Sequence, residues 1–507
     1  MLELLGAGIA DVAQLQYLVP LALGTLVGVV GGALPGVTIT MTIIIVLPFT
    51  FGLEPLQGLA AMTGVYVGGS AGGLVTAVLL GIPGTPSAIA STFDGHPMAR
   101  RGEARRALWL GIWSSFFGGI LGGLFLIGAT EPLARFALQF GPWEFFSLFI
   151  LALSAVAGLV EASIVKGLLS GALGLVVTVL GNDPIMGAPR LTLGLSTLEG
   201  GIPFLPVLIG VFAFSQIMGD IEKLDAGAPR AHAGAMIAGR VSQLAVIGEI
   251  LSRPLLLLWT SFIGLVIGVL PAVGGSAANM MAYDQAKKLS RHPQAFGSGV
   301  PEGIIASESS NNANVGGSLV TIMAFGIPGD AVTAVMLGAL TIHGIQSGPL
   351  FMTQNASLAY GIFAAYLLAH PIMVVVTGLG VRAMMRIVSV PPSRLFPIVL
   401  VLCVIGAYAL GNTMSNVYIL AAFGVVGYAM SKTGFPLAPF ILGVILGDQI
   451  EVNLVRALMT DADPWLFVTR PISGVLLALS VASVAAAIWQ QRRFVRRSAA
   501  PEEAADF

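Results

Sequence analysis

The chain has 507 residues, of which 56% are hydrophobic and 10% charged, and its mean hydropathy is +0.91. Soluble domains carry about 25% charged residues, so the charge needed to cover a water-facing surface is missing, and a net charge of -1 supplies no long-range attraction to nucleic acid. A soluble enzyme and a nucleic-acid binder are excluded, and Cys403, the single cysteine, excludes an internal disulfide or a multi-cysteine metal centre. A polytopic membrane protein remains, with 65 glycines that let helices approach closely.

The segment Met1–Gln16 holds Glu3 and Asp11 but no Lys or Arg, and it lacks a small-residue cleavage motif. It reads as the lead-in to a retained first span rather than as a signal peptide. Apolar runs follow near 15–34, 37–51, 56–82, 107–130, 144–160, 164–181 and 200–218. A second series lies near 254–283, 303–327, 331–350, 357–380, 395–411, 416–431, 436–450 and 471–489. Since about 20 apolar residues make one crossing, these runs predict an all-α polytopic fold with roughly 11–14 membrane elements. They are too long, and too poor in period-two alternation, for barrel strands.

Basic residues concentrate in connectors: Arg100, Arg101, Arg105 and Arg106; Lys287, Lys288 and Arg291; Arg382, Arg386 and Arg394; and Arg492, Arg493, Arg496 and Arg497. The positive-inside rule puts all four groups on the cytoplasmic side, as topology and headgroup anchors. The acidic Asp461–Pro464 is read as outward-facing. The predicted organisation is a first membrane repeat over 15–218, a cytoplasmic connector over 219–253, a second repeat over 254–489 and a polar tail over 490–507.

The repeat assignment rests on two pairs of interrupted segments. Gly24–Gly36 (GTLVGVVGGALPG) and Gly264–Gly275 (GLVIGVLPAVGG) align at an offset of 236, pairing Gly28 with Gly264, Gly32 with Gly268 and Pro35 with Pro271. Gly72–Gly84 (GGLVTAVLLGIPG) and Gly317–Gly329 (GSLVTIMAFGIPG) align at an offset of 245 with eight of 13 positions identical. An insertion within 287–299 accounts for the change of offset. Proline breaks the helical hydrogen-bond ladder and glycine permits the turn that follows. Duplicated broken helices or re-entrant hairpins are the architecture of secondary transporters, because exposed backbone groups are tolerable in a bilayer only where protein, solute, ion or water satisfies them.

The strongest polar anomaly is Glu302–Gly317 (EGIIASESSNNANVGG). Glu308 is assigned to proton or cation coupling, with Thr76 and Thr321 beside it, since an uncompensated carboxylate repels an anionic solute. Hydroxyls, amides and backbone N–H groups at helix N-termini bind carboxylates without buried arginines. The solute-binding set predicted on that basis is Pro35, Gly36, Thr38, Thr40, Ser70, Gly84, Thr85, Ser276, Asn279, Ser310, Asn311, Asn312, Asn314 and Gly329. Glu302 is placed at the membrane interface.

Other motifs give little. Gly68–Gly73 (GGSAGG) lacks the Gly-Lys-Ser/Thr ending of a phosphate loop. The five histidines, His96, His232, His292, His343 and His370, are too scattered for a metal cluster. With no ATPase module and no nucleophile–base constellation, the chain is predicted to be a transporter and not an enzyme. It is predicted to need no cofactor, with a sodium ion or proton as the coupling ion. A passive organic-anion channel or a noncatalytic membrane scaffold is the alternative reading.

The motifs GGALPG, GGLVTAVLLGIPGTPSA, FDGHPMA and PEGIIASESSNNANVGG, with GIPGD after it, resemble those of the large membrane subunit of the tripartite tricarboxylate transporter family. The likeness covers nearly the whole chain except its last twenty or so residues. It falls on Gly31, Gly32, Pro35, Gly36, Gly81, Pro83 and Gly84, then on Glu308, Asn311, Asn312, Ala313, Asn314, Gly326, Pro328 and Gly329. The second half departs from it at LPAVGG, which leaves Ala272 without a role by symmetry. The resemblance implies a multi-pass subunit of the bacterial inner membrane that imports citrate or a related carboxylate. It also implies two partners, a periplasmic solute-binding protein and a small membrane subunit.

Overall fold

A computed structural model describes residues 1–158, 163–183, 185–194, 196–223, 241–271, 273–388 and 392–498. Ala272, residues 224–240 of the connector and residues 499–507 of the tail lie outside the described residues. The chain forms two compact units, Met1–Leu138 with Leu208–Gly424, and Gln139–Val207 with Val425–Phe507. These units cut across the connector at 219–253, since each draws on both ends of the sequence.

The first unit begins with α1 (Leu2–Val12), α2 (Leu15–Ala33), α3 (Ile39–Thr50), α4 (Pro55–Leu80), α5 (Ile89–Met98) and α6 (Ala104–Ala137). The second unit then takes α7 (Pro142–Gly158), α8 (Ile164–Thr178), the hairpin β1 (Gly181–Asn182) and β2 (Pro189–Arg190), and α9 (Ser196–Glu199). After α10 (Phe204–Ile209) the chain continues the first unit with α11 (Ser215–Lys223), α12 (Gln243–Leu251), α13 (Pro254–Val269), α14 (Gly274–Leu289) and α15 (Pro301–Phe325). Next come α16 (Ala331–Ile342), α17 (Phe351–Gln354), α18 (Ala356–Val388), α19 (Pro392–Ala409) and α20 (Met414–Lys432). The second unit closes the chain with α21 (Leu437–Thr460), α22 (Leu466–Thr469) and α23 (Pro471–Ser498).

Among the described residues, eight helical stretches are long and apolar enough to cross a membrane, or nine if α12 and α13, bent by 79°, make one span. The expected 11–14 elements are therefore too many as full crossings. The surplus is in short apolar helices such as α3, α8 and α16, whose hydropathy matches a span while their length does not. The tail is corrected too: α23 runs unbroken to Ser498, so the polar residues from 490 onward continue a helix.

Local chemistry sets the ends of the inner helices. Proline opens α4, α13 and α15, where a missing N–H costs nothing. Glu54 and Gln57 form a capping box on α4, and Asp330 and Thr333 form one on α16. Helices α4 and α15 stop at Gly81 (φ 68°) and Gly326 (φ 72°), left-handed positions that glycine takes without strain.

Packing is backbone against backbone. A Cβ on Gly24, Gly28 or Gly32 of α2 would overlap the backbone of Ala61, Val65 or Gly69 of α4. Both series advance by four residues, so α2 and α4 run parallel, and α3 between them must return the chain. On Gly264 and Gly268 of α13, a Cβ would overlap the backbone of Ser310 and Asn314 of α15. That pair is parallel as well, with α14 as its return. These small-residue seams are how helices gain contact where lipid offers no hydrophobic drive.

In the second unit, buried Glu144 accepts from Arg470 Nε at 2.6 Å and from the Gly141 N–H at 2.9 Å. Arg190 of the hairpin pairs with Glu451 of α21. Asp183 caps the hairpin turn, and N–H groups of Met186 and Ile185 hold its carboxyl below the ordinary aspartate value. Between α7 and α8 lies an apolar crevice of about 190 Å³ lined by Leu153, Gly167, Gly171 and Leu175.

Candidate functional site

Each interruption folds back against its own helix pair. The α2 seam ends with Gly32 against Gly69, eleven residues before the end of α4, so the turn Leu34–Val37 lies at the middle of α4. The segment after α4 dips back to the same level. Gly84 N–H donates to Gly73 O at 3.4 Å, and a Cβ on Gly84 would overlap the Gly32 carbonyl. In the other helix pair, a Cβ on Gly329 would crowd the Gly268 carbonyl and Ser318. Thus Pro35–Thr38 meets Gly84–Ser87, and Pro271–Ser276 meets Gly329–Asp330, near the centres of long buried helices. Four short helices, α3, α5, α14 and α16, start from this level.

The pairs also touch each other. The turn Pro86–Ala88 packs on α14, and α16 packs on α3. Asn311 Nδ2 donates to Ser70 O at 2.8 Å, while Tyr66 Oη donates to Asp330 Oδ2. Tyr66 therefore lies beside the segment after α15, and Ser70 one turn on lies beside an earlier residue of α15, so α4 and α15 run in opposite directions.

Expectation placed the polar run of Glu302–Gly317 ahead of an apolar span. It lies within α15, and Ser307 through Asn314 are all buried. Glu308 accepts from Ser91 Oγ of α5 and from Ser115 Oγ of α6, the latter at 2.9 Å. Among the described residues no basic side chain pairs with it, so two hydroxyls alone offset a buried carboxyl. Glu302 sits at the start of α15, half-buried, and accepts from Arg253 Nε at 2.8 Å.

The remaining candidates divide by what already occupies them. Asn279 is fully used: its Nδ2 donates to Ser307 O at 3.1 Å and its Oδ1 accepts from Ala90 N at 2.8 Å. Ser310 Oγ donates to Ser307 O, Thr76 Oγ1 to Gly73 O and Thr321 Oγ1 to Val269 O, so these three tie off local carbonyls. Thr38 caps α3 by accepting from Met41 N at 3.1 Å. Gly36 (φ 87°) makes the turn after Pro35, and its carbonyl accepts from Gln216 Nε2. Thr40 is buried, Ser276 is half-buried, and Thr85 and Ser87 share a hydroxyl contact of 3.1 Å. Asn312 donates weakly to Glu308 O, and among the described residues its Oδ1 has no hydrogen-bond partner, nor has Asn314 Nδ2.

Sequence reasoning missed two groups. Ser91 and Ser115, the partners of Glu308, lie about two hundred positions upstream, and the only visible signal was the Ser114-Ser115 pair inside an apolar span. Asp94, read as part of a motif, is a buried hub. Its Oδ1 accepts from the N–H groups of Gly297, Gly299 and Val300 at 3.0, 2.7 and 2.9 Å, and its Oδ2 accepts from Tyr283 Oη at 2.8 Å. Arg101 donates to Gly299 O, which brings the basic connectors after α5 and after α14 onto one side. Under the positive-inside rule that side is cytoplasmic.

Comparison with known proteins gives the same direction. Residues 18–442 match the tripartite tricarboxylate transporter TctA family. The chain is 33% identical over 484 residues to the uncharacterized 52.8 kDa protein in the TAR-I ttuC' 3' region of Agrobacterium vitis, covering 95% of each. It is also 33% identical over 226 residues to the uncharacterized protein in the TAR-II ttuC' 3' region of the same organism, covering 44% of this chain and 93% of that one. No solved structure matches.

Proposed function

The chain belongs to the tripartite tricarboxylate transporter TctA family, and on that premise we propose that it imports tricarboxylates or related carboxylates by alternating access, driven by a proton or sodium gradient. It is a multi-pass inner-membrane component of a secondary transporter. Members of the family work with a periplasmic solute-binding protein and a small membrane subunit. For this chain we assign the same two partners, the first delivering the solute.

In this reading the two halves are an internal duplication of inverted topology, and the segments around Pro35, Gly84, Pro271 and Gly329 are the tips of re-entrant hairpins. The observation that carries it is the recurrence of the same contacts at the two offsets. Gly28 on Val65 becomes Gly264 on Ser310, Gly32 on Gly69 becomes Gly268 on Asn314, and Gly84 on Gly32 becomes Gly329 on Gly268. The opposed directions of α4 and α15 fit an in-plane pseudo-two-fold axis. Half-helix N-termini starting from the midplane supply positive dipole ends to an anion. Hydroxyls and amides of Thr38, Thr40, Ser70, Thr85, Ser276, Ser310, Asn311, Asn312 and Asn314 surround the solute. Backbone at Pro35, Gly36, Gly84 and Gly329 shapes the cavity, and Asn279 holds its walls. Glu308 couples transport to the cation, and Thr76 and Thr321 support the carbonyls near it.

The test is reconstitution of the chain with its two partners in vesicles, with labelled citrate, a carboxylate panel and imposed sodium or proton gradients. Accumulation against the solute gradient, abolished when the ion gradient collapses, is expected. Flux that ignores the ion gradient would make the protein a channel and refute coupling.

A further inference from the structure

Four short helices start at the central breaks, and three of their N-termini already have an acceptor. Thr38 caps α3 through Met41 N, and Asn279 Oδ1 accepts from Ala90 N in the first turn of α5. Asp330 caps α16 with its own carboxylate, accepting from Thr333 N at 2.8 Å. Helix α14 differs. It has 16 residues, and among the described residues no side chain caps it. Gly274, Gly275, Ser276 and Ala277 are half-buried, whereas the first turns of the other three lie more deeply covered. The first N–H groups of a helix have no intrahelical partner, and here nothing polar from the chain replaces one.

A second observation points to the same place. The Asn314 carboxamide, 1% exposed, lies between the last turn of α13 and the first turn of α14. A Cβ added to Gly268 would stand 2.9 Å from Asn314 Nδ2, and one added to Gly275 would stand 3.5 Å from Asn314 Oδ1. Its Nδ2 is a buried donor without an acceptor, a costly condition unless a ligand supplies one. Ser87, across the break, closes the other side: its Cβ would stand 3.2 Å from a Cβ on Gly275.

We propose that the N-terminus of α14, with Ser276 and Asn314, is the subsite that receives one carboxylate of the solute, and that the three capped N-termini do not bind it. The assignment rests on the transport reading above and narrows it to one break of the two. Oriented N–H groups, a dipole end and an amide donor suit a planar carboxylate. Two features oppose an anion there. The Asn311 and Asn314 Oδ1 atoms face Gly275, and Asp330 Cβ would stand 3.5 Å from a Cβ on Gly274. These acceptors make occupancy by the solute conditional on a proton or cation beside it, which places coupling next to binding.

The test uses Ser276→Cys in a Cys403→Ser background, since Cys403 is buried and is the only native thiol. A membrane-impermeant thiosulfonate labels the introduced cysteine in reconstituted vesicles, with citrate, each other panel carboxylate, or sodium chloride alone. Protection by at least one carboxylate is expected, and Asn314→Asp should raise the KM for that solute by about tenfold or more, the loss expected for a hydrogen bond to a charged group. Asn314→Ser, which keeps a donor, should recover part of it, and unchanged thermal melting in detergent shows that both variants fold. If the unmodified protein accumulates a carboxylate that neither protects Ser276→Cys nor depends on Asn314, the subsite is refuted while the transport reading stands. Protection by sodium alone makes the break a cation site and also refutes it. If no carboxylate is accumulated, both readings fall.

Discussion

Tyr66 of α4 and Asp330 of α16 are joined by a buried hydrogen bond across 264 positions of sequence, the tyrosine hydroxyl donating to a carboxylate that also caps α16. This bond ties one helix pair to the break that follows the other. Tyr66→Phe leaves Asp330 Oδ2 without that donor. The expected destabilisation is about 1–3 kcal/mol, the cost of a buried acceptor left unmade. Thermal melting in detergent measures it. A double-mutant cycle with Asp330→Asn should show non-additive losses; additive ones would mean that the two residues act independently.

Glu308→Gln keeps the shape of the side chain and its acceptor toward Ser91 and Ser115, but removes the ionisable proton. The variant should fold and still exchange labelled solute for unlabelled solute across vesicles. Net uptake driven by an ion gradient should fall tenfold or more, by the size typical of a lost proton-transfer group, about 10²–10⁴. Equal loss of exchange and of driven uptake would assign Glu308 to the fold rather than to coupling.

Asp94 gathers three backbone N–H groups and the Tyr283 hydroxyl on one carboxylate, so it fastens the segment 297–300 to α5. Asp94→Ala should free that segment, and amide exchange at Gly297, Gly299 and Val300 should accelerate while exchange in α4 stays slow. Asp94→Asn keeps one acceptor oxygen and should have the smaller effect. Bonds to a charged group contribute about 1.5–3 kcal/mol each at most, and the four share one anion, so the loss is less than their sum.

Gly28 and Gly264 face backbone, and Gly128 of α6 faces open space. Gly28→Val and Gly264→Val should each destabilise by about 1–3 kcal/mol or more through overpacking. Gly128→Ala should be neutral or slightly stabilising, by up to about 1 kcal/mol, since glycine is a poor helix former. Melting of the three variants in one detergent separates the seams from helix propensity.

The breaks were legible in the sequence because proline and glycine act locally. Pro35, Pro271 and the two GIPG runs end or turn helices wherever the rest of the chain goes, and α2, α4, α13 and α15 stop where those residues stand. The number of full crossings was not legible, because hydropathy counts apolar residues and α3 and α16 are apolar without being long. Nor were the polar contacts of α15. Ser309 meets Thr260, Asn311 meets Ser70 and Glu308 meets Ser91 and Ser115, and each pairing depends on which helix lies alongside. Spacing along one chain carries no record of that.

The glycine seams have a mechanical corollary. Where main chain rests on main chain, no rotamer can yield, so α2 with α4 forms one stiff plank and α13 with α15 forms another. Between planks, α4 and α15 communicate through discrete side-chain bonds, from Asn311 to Ser70 and from Tyr66 to Asp330. Any shuttling of the molecule between outward and inward forms therefore has its hinge line along those two crossings, and its cost is set by a few exchangeable hydrogen bonds rather than by repacking the core.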